Sequence, residues 1–558
     1  MVRAVAKLFY KEIRGLHQAA YVLAFFALGS QVLALVRDRL LASTFGASAE
    51  LDIYYTAFRI PDILFVVFAS FLSVYVLIPF VTRAQNDASE RSGSQILSHI
   101  FSFFLLTYVC AAFVLSITAP MYTKALFPTF SADELQQLVL LLQILLLQPL
   151  LLGLSSLVGV ITQLQQRFVV YAVSPILYNI GIIIGILVLY PYIGLPGLAF
   201  GVVIGACAHL AVQIPLLLHS PLRFKLVLPK RSIIQGILAV AIPRALTLSL
   251  NQLVLLMLTI IATGMAVGSV SVFQFGFNLQ SVPLTIIGVS YSVAAFPVLA
   301  QLLARSELKA FREHIQTAFR HIIFWSLPTI ALIVLLRAHI VRIILGAGAF
   351  SWDDTRLTAA VLALFIASLL PQAINLLTIR AFYANGNTRT PLIVASIGSL
   401  ASLGTAILAY RYIYTIPEVQ LYIDTVFRLQ GVPGSEVITL ALGFSVGVTI
   451  QACVMLACLH RTFPGILHGL GTRLYISLLV AISGGIATWL TLQFIVKGIN
   501  QETFIGILLQ GGVAGMVGII TMYLLHLYFG SKELVEIHAA LHRRLRSLPI
   551  IGPHKGLL

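Results

Sequence analysis

Charge is what this sequence has least of: Asp, Glu, Lys and Arg make up 10% of 558 residues, against 59% hydrophobic residues and a mean hydropathy of +0.99. Soluble chains carry about 25% charged residues, so a water-soluble multidomain protein is excluded. Cysteine occurs four times (Cys110, Cys207, Cys453, Cys458), always inside apolar segments and never as a CxxC pair. That distribution argues against a disulfide framework or a zinc site. The GxSxG spacing occurs once, in GFSVG (443–447) inside an apolar span; there is no HExxH and no loop rich in His, Asp and Glu. Membrane transferase or ligase chemistry needs an acid and a base, so no catalytic residue, metal or cofactor is expected.

What the chain does have is apolar windows of about 20 residues, long enough to cross a bilayer as helix. They recur along the whole length, and the spacing predicts fourteen spans, the first at 17–43 and the last at 503–528. The N-terminus has a basic start and an apolar run without an evident cleavage site, which predicts an uncleaved first span. With that end inside, cytoplasmic segments collect 24 of the 35 basic residues and outer segments hold seven. The bias predicts a cytoplasmic location for both termini. The net charge of +16 is then topology signal and contact with anionic membrane lipids; nucleic acid is not an expected partner.

The chain repeats itself at an offset of about 220. FVVFASFLSVYVLIPFVTRAQ (65–85) resembles LTIIGVSYSVAAFPVLAQLLA (284–304), and TFSADEL (129–135) resembles AFSWDDT (349–355). The second pair carries a serine followed by acids, a helix N-cap pattern. A shift of six spans preserves orientation, so the halves are parallel repeats, an architecture of transporters. The expected organisation is an all-α integral membrane protein with an N-lobe at 1–220, a C-lobe at 221–462, two extra helices at 463–530 and a basic, amphipathic cytoplasmic tail at 531–558.

Sixteen of the nineteen carboxylates fall in loops or at span ends; the exceptions are Asp38, Asp52 and Asp62. Among basic residues, Arg37, Arg39, Arg59 and Arg244 are assigned to no loop. At 1.5 Å per residue, Arg59 lies about 13 Å into span 2 and Arg244 about 20 Å along span 7. Charges at such depth are costly unless they face water or a partner, and they mark functional sites. An arginine facing a cavity suits an anionic substrate, since guanidinium binds phosphate bidentately. The other readings are a buried Arg59–Asp62 pair, three apart on one helix, and an interfacial anchor at Arg37, Asp38 and Arg39. Pro61, Pro243 and Pro283 are expected to break spans 2, 7 and 8. Amides near them (Asn251, Gln252, Gln274, Asn278, Gln280, Gln372, Asn375) either line a lumen or bond across helices. His209 and the stretches GIIIG (181–185), GVVIG (201–205) and GFSVG (443–447) read as helix packing.

RDRLLASTFGASAELDIYYTAFRIPDIL (37–64) and FYANGNTRTP (382–391) resemble signatures of the MurJ/MviN family, lipid II flippases of the MATE-like MOP exporter superfamily. The resemblance implies two six-helix lobes plus two C-terminal helices. It further implies alternating-access transfer of undecaprenyl-pyrophosphate-linked peptidoglycan precursor across the bacterial inner membrane. A cationic central cavity would hold the diphosphate, and a groove beside the last two helices the polyprenyl tail. Arg37, Asp38, Asp52 and Arg59 fall on matching positions, whereas family arginines fall on Gln31, Phe65, Val66 and Asn278, so this is a divergent member. The expected diphosphate site is Arg37, Arg59, Arg244 and Asn278, with Asp38, Asp52 and Asp62 as gating or coupling carboxylates and cell-wall synthases as candidate partners. Other readings are an exporter of another polyprenyl-pyrophosphate oligosaccharide (O-antigen or teichoic type), a cation-coupled drug exporter, and a non-transporting scaffold of cell-wall synthesis.

Overall fold

The computed structural model describes residues 16–72, 77, 90–218, 220, 224–496, 498–500 and 503–547. These residues are helical throughout, with no strand among them. Lipid leaves the backbone no water to bond, so an apolar chain of this kind satisfies its own amides as helix. Among the described residues twelve helices are long and apolar enough to span a membrane, or thirteen if the pair Trp352–Ala367 and Leu369–Ala384, bent by 43°, is one span. That count stands against the fourteen expected; the first expected span is occupied by the 30-residue helix Leu16–Phe45.

The repeat is visible where helices start and break. Ser131 accepts a bond from the Glu134 amide while Glu134 accepts from the Ser131 amide, at 3.3 and 2.7 Å. Ser351 and Asp354 do the same 220 residues later, at 3.0 and 2.9 Å. Each box opens a helix that ends early and restarts: Ala132–Leu145 gives way to Leu147–Leu164, and Trp352–Ala367 to Leu369–Ala384. Ser73, Val74 and Pro79, which align the other repeated segment, lie outside the described residues.

The prolines act unequally. Span 2 breaks at Phe58, between Ala49–Ala57 and Arg59–Phe71. In span 8, Pro283 is followed by a π-helical turn, Thr285–Val289, which absorbs the missing amide. Contrary to expectation, Arg231–Thr263 runs unbroken through Pro243. The small-residue stretches pack helices, as read. A Cβ on Gly181 would lie 2.2 Å from the Gly205 Cα, and one on Gly447 would lie 2.6 Å from the Gly398 carbonyl oxygen. His209 is bonded to Ser155 at 2.7 Å.

The chain divides into two compact units. One comprises residues 1–279, 344–361 and 388–447; the other comprises 280–343, 362–387 and 448–558. In the second, Leu470–Leu490 and Phe504–Tyr528 lie side by side, with Gly484 against Met522 and Gly518 against Thr488. Within that unit Gln372 donates to Gln280 at 3.0 Å and Asn375 to the Val448 carbonyl at 3.1 Å. The tail helix Lys532–Ser547 is also part of it. The tail starts with its acidic side turned toward protein: Glu533 and Glu536 lie 3.4 Å from Arg320, and His321 bonds Glu536 at 2.8 Å. The side chains of Arg543, Arg544 and Arg546, on which the basic reading of the tail rests, lie outside the described residues.

Candidate polar gate at the helix seam

In the first unit, segments from the first 220 residues meet segments from the second half along a seam that combines aromatic packing, such as Tyr55 against Phe275, with a set of polar contacts. Two glycines let the backbones touch. Gly46, at φ +61°, and Gly348, at φ +56°, adopt the left-handed conformation that side chains with a Cβ disfavour. A Cβ on Gly348 would lie 2.2 Å from the Ser43 carbonyl oxygen. The Ala349 amide donates to that same oxygen at 2.9 Å. Arg39 donates to the Ile344 carbonyl at 3.1 Å.

Asp52 closes the next contact. Its carboxylate is 5% exposed and accepts from the Gly268 amide at 2.7 Å, the Ser271 amide at 2.8 Å and the Ser271 hydroxyl at 2.6 Å. These amides belong to the start of helix Ser269–Leu284, where orphan N–H groups and the positive dipole end favour an anion. Asp52 thus caps a helix 216 residues away in sequence. A cavity of about 250 Å³ adjoins this contact, bounded by Ala47, Gly268, Ser269, Ser351 and Asp354.

Deeper along the same helices four of the expected residues, Arg37, Asp38, Arg59 and Asn278, join one hydrogen-bond chain. Arg37 reaches the Asp38 Oδ1 through Nε at 2.9 Å and Nη2 at 2.7 Å, and donates to Asn179 at 3.2 Å. Asn278 donates to the other Asp38 oxygen at 3.1 Å and accepts from Gln274 at 2.7 Å. Gln274 in turn accepts from Arg59 Nη2 at 2.8 Å, and Arg59 Nε donates to the Thr259 hydroxyl at 2.8 Å. Five helices supply the chain, and only Arg37–Asp38 is a direct ion pair within it.

Arg59 departs from the expected picture. It is 5% exposed, both its hydrogen bonds go to neutral oxygens, and the described cavities are lined by other residues. Asp62, half-buried one turn on, makes no ion pair with it within 4.0 Å. Arg244 lies on Arg231–Thr263, but its side chain is outside the described residues. Asn278, where the family resemblance implies arginine, bridges Asp38 and Gln274 as donor and acceptor at once. Arginine has no acceptor, so it could not take this place.

In the sequence Gln274 and Asn278 stand out only as amides near the span breaks. Sequence reading missed Asn179, Thr259 and Ser271, because one amide or hydroxyl in an apolar span carries no signal of what it touches. The partner of Asp52 is mostly backbone and has no side-chain signature at all.

Comparison with known proteins fits this arrangement. The sequence matches the family described as "Lipid II flippase MurJ" over residues 41–509, most of its length. The chain belongs to the MurJ family of lipid II flippases. It is 30% identical over 380 residues to the "Probable lipid II flippase MurJ" of Buchnera aphidicola subsp. Acyrthosiphon pisum (strain APS), covering 65% of this chain and 72% of that one. Its fold resembles a solved "Lipid II flippase MurJ, inward closed conformation", with TM-score 0.72, 22% identity, and coverage of 91% of this chain and 99% of the other. It also resembles the "Inward-facing conformation of a multidrug resistance MATE family transporter of the MOP superfamily", with TM-score 0.64, 14% identity, and coverage of 79% and 96%. A MurJ-family chain is a multi-span transporter, and the drug-exporter likeness is one of fold.

Proposed function

We propose that this MurJ-family chain carries lipid II from the inner to the outer leaflet of the bacterial cytoplasmic membrane by alternating access, with the polar seam as its outer gate. The observation that carries the gating role is the burial of Arg59 among neutral partners. A hydrogen bond to a charged group contributes about 1.5–3 kcal/mol, and exchanging Gln274 and Thr259 for diphosphate oxygens trades it for a stronger, charge-paired one. Releasing Arg59 requires no carboxylate to be stripped. Arg37 is held by Asp38 and would be freed only as Asn278 lets that acid move.

In this reading Asp38 and Asp52 are gate carboxylates, and Asp62 tunes Arg59 from one turn away. Arg244, from span 7, adds a cation to the same lumen, and Asn278 completes the diphosphate site. The 24 to 7 distribution of basic residues supports cytoplasmic termini and an outward seam. The last two helices would hold the polyprenyl tail. An apolar groove of about 440 Å³ between Leu308–Ile344 and Leu470–Leu490, bounded by Ala331, Leu335, Ala481, Ile482, Gly485 and Trp489, supports that assignment. Cell-wall synthases, which consume the flipped product, are the protein partners this activity suits.

The test is complementation of a flippase-depleted bacterium together with an assay of lipid II exposure at the outer leaflet. Growth rescue with restored exposure is the expected result. A chain that inserts normally yet leaves lipid II inside, or that exposes a different lipid-linked saccharide, refutes the assignment. Arg244→Glu is expected to abolish exposure; full activity would remove Arg244 from the site.

A further inference from the structure

One element takes no part in the gate or the tail groove. Between spans Arg389–Ile413 and Ser435–Thr462 lies an eleven-residue helix, Pro417–Phe427, with no buried residue. Val419, Tyr422, Ile423 and Val426 recur at i, i+3, i+4 and i+7, one apolar face of a helix. Glu418 and Thr425 border that face beside Tyr422, about 100° round the helix from Val419 and Val426. Tyr422 is 70% exposed, Val419 and Val426 are exposed with it, Ile423 is half-buried, and Leu421 is exposed on the other side.

Covalent geometry fixes the depth of this helix. It begins four residues after one span ends, so it sits at the level where that span leaves the bilayer. The exposed apolar surface of the span itself (Ile393, Leu400, Ile407, Leu408) ends in Tyr410 and Tyr412 and continues into Ile416 and the helix. Tyrosines at the end of a span mark the headgroup layer. A short helix with an apolar face at that level lies in the interface plane.

The connection back to the seam is rigid. Arg428 ends the helix at φ 60°, and its carbonyl accepts from Arg356 Nε at 2.8 Å and also from Arg356 Nη2. Arg356 Nη2 further reaches the Gln430 carbonyl at 3.3 Å. Glu436, six residues on, accepts from the Ala266 amide at 3.0 Å. Ala266 lies in the same turn as Gly268, which Asp52 holds. Arg356 lies in the helix whose capping acid Asp354 accepts from the Ala47 amide at 3.4 Å. The loop therefore bonds directly to the Gly268 side of the Asp52 contact and, through the helix of Arg356 and Asp354, reaches the Ala47 side. Burial raises the Asp424 carboxyl above its ordinary value, and that carboxyl belongs to the inner side of the helix.

We propose that Pro417–Phe427 is an interfacial foot: it lies in the outer headgroup layer with Val419, Tyr422 and Val426 in the acyl boundary, and through Arg356 and Glu436 it ties the gate to the membrane surface. This inference rests on the orientation given under the proposed function. The test uses the full chain with its four native cysteines replaced by alanine, single cysteines at 418, 422, 425 or 426, and a nitroxide label. It is reconstituted in phosphatidylethanolamine and phosphatidylglycerol vesicles. The ratio of oxygen to water-soluble nickel-complex accessibility is expected to be at least fivefold higher at 422 and 426 than at 418 and 425. Equal ratios would place the helix in water, and exclusion of both reagents from 422 and 426 would mean a covering protein; either overturns the foot. In intact cells an impermeant maleimide should label the cysteine at 418, and labelling only after permeabilisation overturns the orientation instead. The double variant Tyr422→Asp/Val426→Asp is expected to slow lipid II exposure at least threefold while Thr425→Asp does not. An unchanged rate in the double variant overturns the tie to the gate.

Discussion

Arginine is used in two opposite ways in this molecule. At the seam, Arg59 is buried and bonded to an amide and a hydroxyl. At the tail, Arg320 and His321 meet Glu533 and Glu536 directly, with the Glu536 side chain 45% exposed. Water screens the Glu536 contacts of the second arrangement, so that pairing costs little to form and contributes only about 0–1 kcal/mol, while Glu533 is buried against Arg320. The first sits where a charge is expensive and where breaking one bond leaves a polar group stranded. Strong but transferable contacts belong to a moving part, and weak charged ones to a fastening that need only hold a helix in place.

Removing the buried cation should separate the two regions most sharply. Arg59→Ala is expected to reduce lipid II exposure on the order of a hundredfold, matching the loss of about 3 kcal/mol of charge-assisted bonding, with normal membrane insertion. Wild-type exposure in a leaflet assay would end the claim that Arg59 receives the substrate. Next comes the helix cap across the seam. Asp52→Ala is expected to weaken the closed gate by about 1–2 kcal/mol, roughly a tenfold gain in outside thiol labelling of Ser269→Cys; no gain would show that the cap does not hold the gate.

Gly348→Ala tests the backbone contact alone. Its Cβ meets the Ser43 carbonyl in a conformation costing about 1–3 kcal/mol, so the closed gate should lose several-fold in population, with the same label as readout. The smallest effect belongs to the tail. Burial on its own raises the Glu536 carboxyl, but the hydrogen bond to His321 and the charges of Arg320 and His321 outweigh it and hold the group below its ordinary 4.5. A depressed carboxyl contributes stability above its unfolded value and loses it as pH falls through the folded one. Tail protection from proteolysis should therefore decline below about pH 4.5, and Glu536→Gln should abolish that dependence. A tail equally protected at pH 3.5 and pH 7 would exclude the pair as its fastening.

The transmembrane character, the helix starts at Ser131 and Ser351, the glycine packing faces and the placement of Asp38, Asp52 and Arg59 within helices rather than loops were all legible in the sequence. Each depends on spacing or composition within a few turns of helix. The pairing of Arg37 with Asp38 had no such signal, since side chains one apart on a helix do not face each other. Local reading also misjudged Arg231–Thr263, whose helix continues through Pro243, because neighbouring helices can compensate a lost amide bond.

Sequence alone thus determined that the chain would fold in lipid as a repeated set of helices and that a few charges would be stranded within it. Only tertiary structure decided where those charges went. Asp52 found backbone amides 216 and 219 residues away, and Arg59 found Thr259 and Gln274. Backbone N–H groups are common to every residue except proline, and a lone hydroxyl or amide on an apolar helix has no periodic partner. Such contacts are set by how helices cross, and that information is spread over the packing of the whole unit rather than written beside the residue it serves.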